Sequence, residues 1–301
     1  MNSQQKKIRE LLKERRAILL VHYYQRPEIQ EIADVLGDSL ALSMAAAKND
    51  AAVIVFAGVH FMAQSAALLA PDKTVLLPRP DAGCPLADMA SVESVQKMKS
   101  KEHDACFVTY INSTAEVKAA SDVCCTSSNA VAVVNSVKDK RKIIMLPDGN
   151  LARWVSRQTD KEIIAWPGYC PVHHFLKAAD VAAKKRQYPS APFAAHPECP
   201  AEILALADFV GSTGAILQFA RTSSAPEIII GTEEGILTEL QKQNPGKKFI
   251  MASPQLVCHD MKKTTLDDIE KSLVAMQPVI TVPEEIRASA RRALDGMLAV
   301  S

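Results

Sequence analysis

Apolar runs of four to eight residues recur along the chain, bounded by glycine, proline or charge. Examples are "ILLVHYY" (18–24), "AAVIVFAG" (51–58), "KIIMLPD" (142–148) and "EIIIGT" (227–232). Between them lie segments such as "FLKAADVAAKK" (175–185), whose apolar residues fall at helical spacing. Short continuous apolar runs alternating with helical patterns predict parallel strands buried on both faces by helices. The order β-α-β-α-β-α-β is met three times.

The three passages match in detail. Their first strands read "ILLVHYY", "ACFVTYIN" (105–112) and "PFAAHPEC" (192–199), with His22, Tyr110 and His196 in equivalent places. The segments "ADVLGDS" (33–39), "SDVCCTS" (121–127) and "ADFVGST" (207–213) then align without gaps. They end in Ser39, Ser127 and Thr213, each 17 residues after His22, Tyr110 or His196. The last strands lead through "KTVLLPRPDAGC", "KEIIAWPGYC" and "KKFIMASPQLVC" to Cys84, Cys170 and Cys258, which lie 86 and 88 residues apart. A fixed long period of this kind is the mark of internal repetition. The expected fold is α/β, with three repeated parallel-sheet α/β/α domains around a pseudo-threefold axis. The first repeat with its N-terminal helix spans 1–84, the second 85–170 and the third 171–258. Two helices in 259–301 are expected to pack back on the first repeat.

Composition narrows the class. The chain has 301 residues, 48% hydrophobic and 23% charged, with a formal net charge of +1. That balance gives no reason to expect a nucleic-acid or membrane-surface partner. The N-terminal "MNSQQKKIRELLKERRA" has no apolar core of the kind a secretory signal needs, and no run approaches the ~18 apolar residues that span a bilayer. A soluble, cytoplasmic protein is expected. Seven cysteines without a CxxC pair, and no GxGxxG or GxxxxGK[ST], remove the commonest short signatures.

The cysteines at equivalent places carry the chemistry. Right-handed crossovers put all strand C-termini of a unit at one edge, where ligands of open α/β sheets bind. Cys84, Cys170 and Cys258 are therefore expected to converge on one metal site, with Cys106, Cys124, Cys125 and Cys199 as buried apolar residues. Zinc and cubane iron–sulfur sites usually take four protein ligands, so three leave a position open for chemistry. Soft thiolates favour iron–sulfur over a hard cation. A Cys₃ zinc hydrolase and a non-enzymatic iron–sulfur scaffold are the rival readings.

Around the metal, Ser39, Ser127 and Thr213 precede helical patterns. Such hydroxyls commonly cap helices, and helix N-termini meeting at one cavity also bind anions. The pairs His22/Tyr24, Tyr110/Asn112 and His196/Glu198 are spaced i, i+2, which on a strand points both to one side. Glu198 is the only carboxylate among them and the first candidate for proton transfer, with Tyr24 the second. His173, three residues after Cys170, is expected to approach the metal or a bound anion. His174, His60 and His103 read as structural.

The set "HYYQRPEIQEIADVLGDSL", "GVHFMAQSAALL", "GCPLADM", "TYINSTAEVKA", "CTSSNAV", "PDGNLA", "PGYCPVHHF", "HPECP", "GSTGAI" and "CHDMKKTTL" closely resembles the quinolinate synthase family, from about residue 18 onward. The resemblance implies a [4Fe–4S] cluster between three α/β domains. It also implies condensation of iminoaspartate with dihydroxyacetone phosphate to quinolinate, phosphate and water in NAD biosynthesis. An L-aspartate oxidase or dehydrogenase becomes a transient partner. By resemblance, Cys84, Cys170 and Cys258 are cluster ligands. His22, Ser39, Tyr110, Asn112, Ser127, His196 and Thr213 bind substrate, and Tyr24, Glu198 and His173 are catalytic. Two residues depart from the family pattern: Gln64 where glutamate is frequent, and Asp260 where asparagine is usual. No C-terminal CxxCxxC extension is present, so redox regulation of that kind is not expected.

Overall fold

The structure, a computed structural model, describes residues 1–300. Its first unit runs α1 (Ser3–Glu14), β1 (Ala17–His22), α2 (Pro27–Gln30), β2 (Val35–Gly37), α3 (Ser39–Lys48), β3 (Val53–Ala57), α4 (His60–Leu69) and β4 (Thr74–Leu76). The second runs α5 (Val92–Lys99), β5 (Ala105–Tyr110), α6 (Ala115–Ala119), β6 (Val123–Cys125), α7 (Ala130–Ser136), β7 (Lys142–Leu146), α8 (Gly149–Ser156) and β8 (Glu162–Ala165). After α9 (Pro171–His174), the third repeats the order. It comprises α10 (Ala178–Gln187), β9 (Phe193–Ala195), α11 (Ala201–Leu204), β10 (Phe209–Val210), α12 (Thr213–Thr222), β11 (Glu227–Gly231), α13 (Ile236–Gln243) and β12 (Lys248–Met251). Helices α14 (Leu266–Ala275) and α15 (Glu284–Leu298) follow.

Each unit holds one four-stranded sheet, ordered β2-β1-β3-β4, β6-β5-β7-β8 and β10-β9-β11-β12. All pairings are parallel, for instance Leu20↔Val35 and Leu20↔Phe56 about β1. Every residue of β3 and of β5 is buried, as strands covered on both faces require. The expected repeated α/β architecture is therefore present.

Repetition extends to single hydrogen bonds. Asp34, Asp122 and Asp208 each accept the amide of the residue 15 positions earlier, Leu19 (2.8 Å), Phe107 (2.7 Å) and Phe193 (2.8 Å). The same carboxylates pair with Arg9, Lys99 and Lys185 from the helix that opens each unit. Lys73, Lys161 and Lys247 donate to the carbonyls of Asn49, Val137 and Ser223, each 24 positions back.

The sheet order creates a switch point between the first and third strands of every unit, since the chain leaves the first strand one way and returns on its other side. Ligands in such sheets sit beyond the strand C-termini at that point. The tail departs from expectation in one respect. Leu266, Ile269 and Leu273 of α14 share a core with Ile8 and Leu12 of α1, on the first unit. Helix α15, by contrast, packs chiefly on α6 and β6 of the second unit. Arg291 still reaches the Leu68 carbonyl on α4 at 3.0 Å. The tail thus staples two units together.

Candidate active site

The strand C-termini of the three units open on one cavity of about 350 Å³. Each residue singled out as catalytic, substrate-binding or metal-ligating in the sequence lines it, and His60, His103 and His174 do not. Cys106, Cys124, Cys125 and Cys199 are buried away from it. No lysine or arginine lines the cavity among the described residues.

The i, i+2 pairs reach the cavity by a route other than the one expected. Strands β1, β5 and β9 stop at His22, Tyr110 and Ala195, so Tyr24, Asn112 and Glu198 stand beyond the strands, in turns. In two units the imidazole closes the turn. The Tyr24 amide donates to His22 Nδ1 at 3.1 Å, and the Glu198 amide to His196 Nδ1 at 3.4 Å. An Nδ1 that accepts leaves the proton on Nε2, so both rings become neutral donors. Burial holds both well below the usual histidine range, at about 3.

The hydroxyls are not the caps. Asp38 caps α3, accepting from the Ala41 amide at 3.0 Å, and Ser212 caps α12, accepting from the Ala215 amide at 3.3 Å. Ser39 and Thr213 are therefore first helical residues, and Ser127 precedes Asn129 at the start of α7. With Asp38 and Ser212 supplying the caps of α3 and α12, the hydroxyls of Ser39 and Thr213 stand with that of Ser127 on the cavity wall.

A hydrogen-bonded chain crosses the cavity. Ser127 bonds to Tyr110, and Tyr110 bonds to Glu198. Glu198 Oε2 lies 2.7 Å from His173 Nδ1, and His173 Nε2 lies 2.9 Å from Thr232 Oγ1. Thr232 Oγ1 is 2.6 Å from Tyr24 OH, which is 2.8 Å from Thr213 Oγ1. Burial pushes the Tyr24 and Tyr110 phenols well above their ordinary value. Burial would also raise the Glu198 carboxyl, but His196, His173 and hydrogen bonds from His173 and Tyr110 outweigh it and hold it at about 2.

Each unit contributes one cysteine to the cavity wall, and none is in a disulfide. All three share a local geometry: the thiols of Cys84, Cys170 and Cys258 face the amides of Ala87, His173 and Met261, three residues on. Amide donors at this offset favour thiolate.

Comparison with known proteins decides the family. The profile described as quinolinate synthetase A protein matches residues 6–299. Quinolinate synthase from Geotalea uraniireducens is 57% identical over 293 residues, 97% of this chain and 96% of that protein. Quinolinate synthase 1 from Methanosarcina acetivorans is 52% identical over 295 residues, 98% of this chain and 97% of that one. The chain belongs to the quinolinate synthetase A family.

The residues of this family member fit a metal cofactor. Burial drives the thiols of Cys84 and Cys170 well above the usual cysteine range and that of Cys258 to about 11. Yet every one of them is aimed at donors that suit a thiolate. A bound cation resolves that opposition, because thiolates are the ligating form. Cys170, His173 and Glu198 also offer ligand atoms within 4.8 Å of one another. His173 and Glu198 already satisfy each other, however, whereas the thiols of Cys84 and Cys258 meet backbone amides and, among the described residues, no side-chain hydrogen-bond partner.

The two departures from the family pattern have structural roles. Gln64 Oε1 accepts from the Ala115 amide at 3.2 Å, joining α4 of the first unit to the start of α6 in the second. Asp260 accepts from the Gly83 amide at 3.3 Å and pairs with Lys263 at 2.7 Å, tying the third cysteine loop to the first. Sequence reasoning missed Thr232, Asp148 and Glu233. All three lie just past a third strand, at the switch point, and aligning those strand ends would have exposed them.

Proposed function

We propose that this family member condenses iminoaspartate with dihydroxyacetone phosphate, giving quinolinate, phosphate and two waters. The observation that carries the reading is the joining of two features on one cavity. Three equivalent cysteines stand beside the Glu198–His173–Thr232–Tyr24 chain.

The residues divide the work. Neutral Nε2–H groups of His22 and His196, the Asn112 side chain, and the hydroxyls of Ser39, Ser127 and Thr213 receive the substrate carboxylates and phosphate. The N-termini of α3 and α12 add oriented amides and a favourable dipole. Asn112 Oδ1 is buried without a partner, which suits an acceptor waiting for a substrate donor. Glu198, held ionised, takes a proton from the carbon next to the imine; the electron pair forms the new carbon–carbon bond to the triose, whose carbon–oxygen bond to phosphate breaks with its pair leaving on phosphate. In each dehydration Glu198 takes a carbon-bound proton while Tyr24 protonates the departing hydroxyl. Thr232 and His173 return the proton along the chain, so the pair is restored. Acid–base steps of this kind contribute ~10²–10⁴-fold. A [4Fe–4S] cluster held by Cys84, Cys170 and Cys258 would supply Lewis acidity at an iron that no cysteine ligates.

Iminoaspartate is supplied by an L-aspartate oxidase or dehydrogenase, and the proposed location is the cytoplasm. Among the described residues no helix is long and apolar enough to cross a membrane. The test is an anaerobic assay with iminoaspartate generated in situ and dihydroxyacetone phosphate. Quinolinate and phosphate should form in equal amounts, and Glu198→Gln should keep its metal while losing roughly 10²–10⁴-fold in turnover. Phosphate without quinolinate, or a Glu198→Gln rate near normal, contradicts the reading.

A further inference from the structure

Two buried carboxylates brace the ligand loops outside the proton-transfer chain, Glu233 on the cavity wall and Asp148 away from it. Asp148 and Glu233 occupy the same place in their units, two residues past β7 and β11, and are 2% and 0% exposed. Asp148 Oδ1 accepts from the Leu151 amide at 2.7 Å, in the first turn of α8, while Oδ2 accepts from the Cys170 amide at 3.1 Å. Glu233 repeats the arrangement. Its Oε2 accepts from the Gly235 amide at 2.7 Å, just before α13, and Oε1 from the Cys258 amide at 3.1 Å. Val59 takes this place in the first unit, where Gly83, next to Cys84, turns to Asp260 instead.

Each carboxylate also reaches a proton-transfer residue of another unit. Asn150, in the α8 turn that Asp148 caps, donates from Nδ2 to the Glu198 carbonyl at 2.9 Å. Lys262 pairs with Glu233 at 2.9 Å and donates to the Tyr24 carbonyl at 2.6 Å. A buried carboxylate is costly unless its oxygens are fully engaged. Here both oxygens of both groups are engaged, each by a different element. Groups placed this way orient the ligands they touch and are felt in metal affinity.

We propose that Asp148 and Glu233 are positioning residues that set the Cys170 and Cys258 loops for the metal centre and carry that geometry to Glu198 and Tyr24. This rests on the three-cysteine reading above. Asp148→Asn and Glu233→Gln each replace one acceptor oxygen by an amide nitrogen that cannot accept, so one backbone amide loses its partner. In anaerobically loaded protein challenged with an iron chelator, both variants should lose iron on the order of ten- to hundredfold faster than the unsubstituted chain. The urea midpoint of the iron-free Asp148→Asn chain should move little, because no cation pairs with Asp148, whereas Glu233→Gln also leaves Lys262 without its buried partner and should lower its midpoint. Asn150→Ala, which leaves both Asp148 bonds in place, should keep its iron and lower kcat at unchanged KM. Iron loss at the unsubstituted rate in both carboxylate variants, or an Asp148→Asn midpoint that falls in step with its iron loss, overturns the positioning role. A normal kcat in Asn150→Ala overturns the link to Glu198. An unsubstituted chain that loads no iron contradicts the three-cysteine reading itself, whereas a loaded chain with unaffected variants contradicts only this proposal.

Discussion

His22 and His196 are neutral because they are buried and because their Nδ1 atoms accept backbone amides. Their value near 3 in the folded chain lies below the ordinary 6.5 of an unfolded one. The unfolded state therefore binds more protons between those limits, and stability is fully present above about 6.5 and lost as the pH falls toward 3. Each ring contributes a slope of roughly 1.4 kcal/mol per pH unit there. Glu198, held at about 2, adds its loss only below about 4.5 and leaves the upper part of that window to the histidines. Urea midpoints of the chain should fall between about pH 6.5 and pH 5, and His22→Gln/His196→Gln should flatten that fall. An equally steep profile in the double variant would assign the loss to other groups. At this scale the candidate residues were legible because repetition marks equivalent positions. Thr232 was not, since it looks like any strand-end threonine until His173 and Tyr24 meet it from two other parts of the chain.

Among the elements, the order of strands and helices could be read from apolar runs alone, because strands buried on both faces leave uninterrupted hydrophobic stretches. Where they end could not. Prolines and turn-closing imidazoles cut β9 short, so Glu198 hangs from a turn where a strand residue was expected. Nor does pattern say which residue caps: Asp38 and Ser212 sit one position before Ser39 and Thr213, and two adjacent candidates cannot be separated by pattern. The elements also meet closely at the unit boundary. A Cβ on Gly235 would lie 2.7 Å from Tyr24 Cα and 2.8 Å from the Tyr23 carbonyl. Both are backbone atoms, which yield only if the first and third units part. Gly235→Ala should cost about 1–3 kcal/mol in urea unfolding. It should also lower kcat by shifting Tyr24 from Thr232. A variant of unchanged stability and rate would show that the boundary is not close-packed in solution.

In the whole molecule, three copies of one α/β unit each bring a cysteine, a polar turn and a helix start to a common cavity, and α14 and α15 fasten the first two units. Convergence was legible because equivalent strand ends point the same way. The cross-links between units were not, because Gln64–Ala115, Asp260–Gly83 and Asn150–Glu198 join residues far apart in sequence and belong to no motif. The account stands on the three cysteines acting together as ligands. Its most direct test is iron and acid-labile sulfide per chain after anaerobic purification of single alanine variants. The unsubstituted chain and Cys106→Ala should each carry about four of both, as a cubane requires, while Cys84→Ala, Cys170→Ala and Cys258→Ala should each lose most of them. A full complement in any of those three, or a Cys106→Ala chain without iron and sulfide, would contradict it.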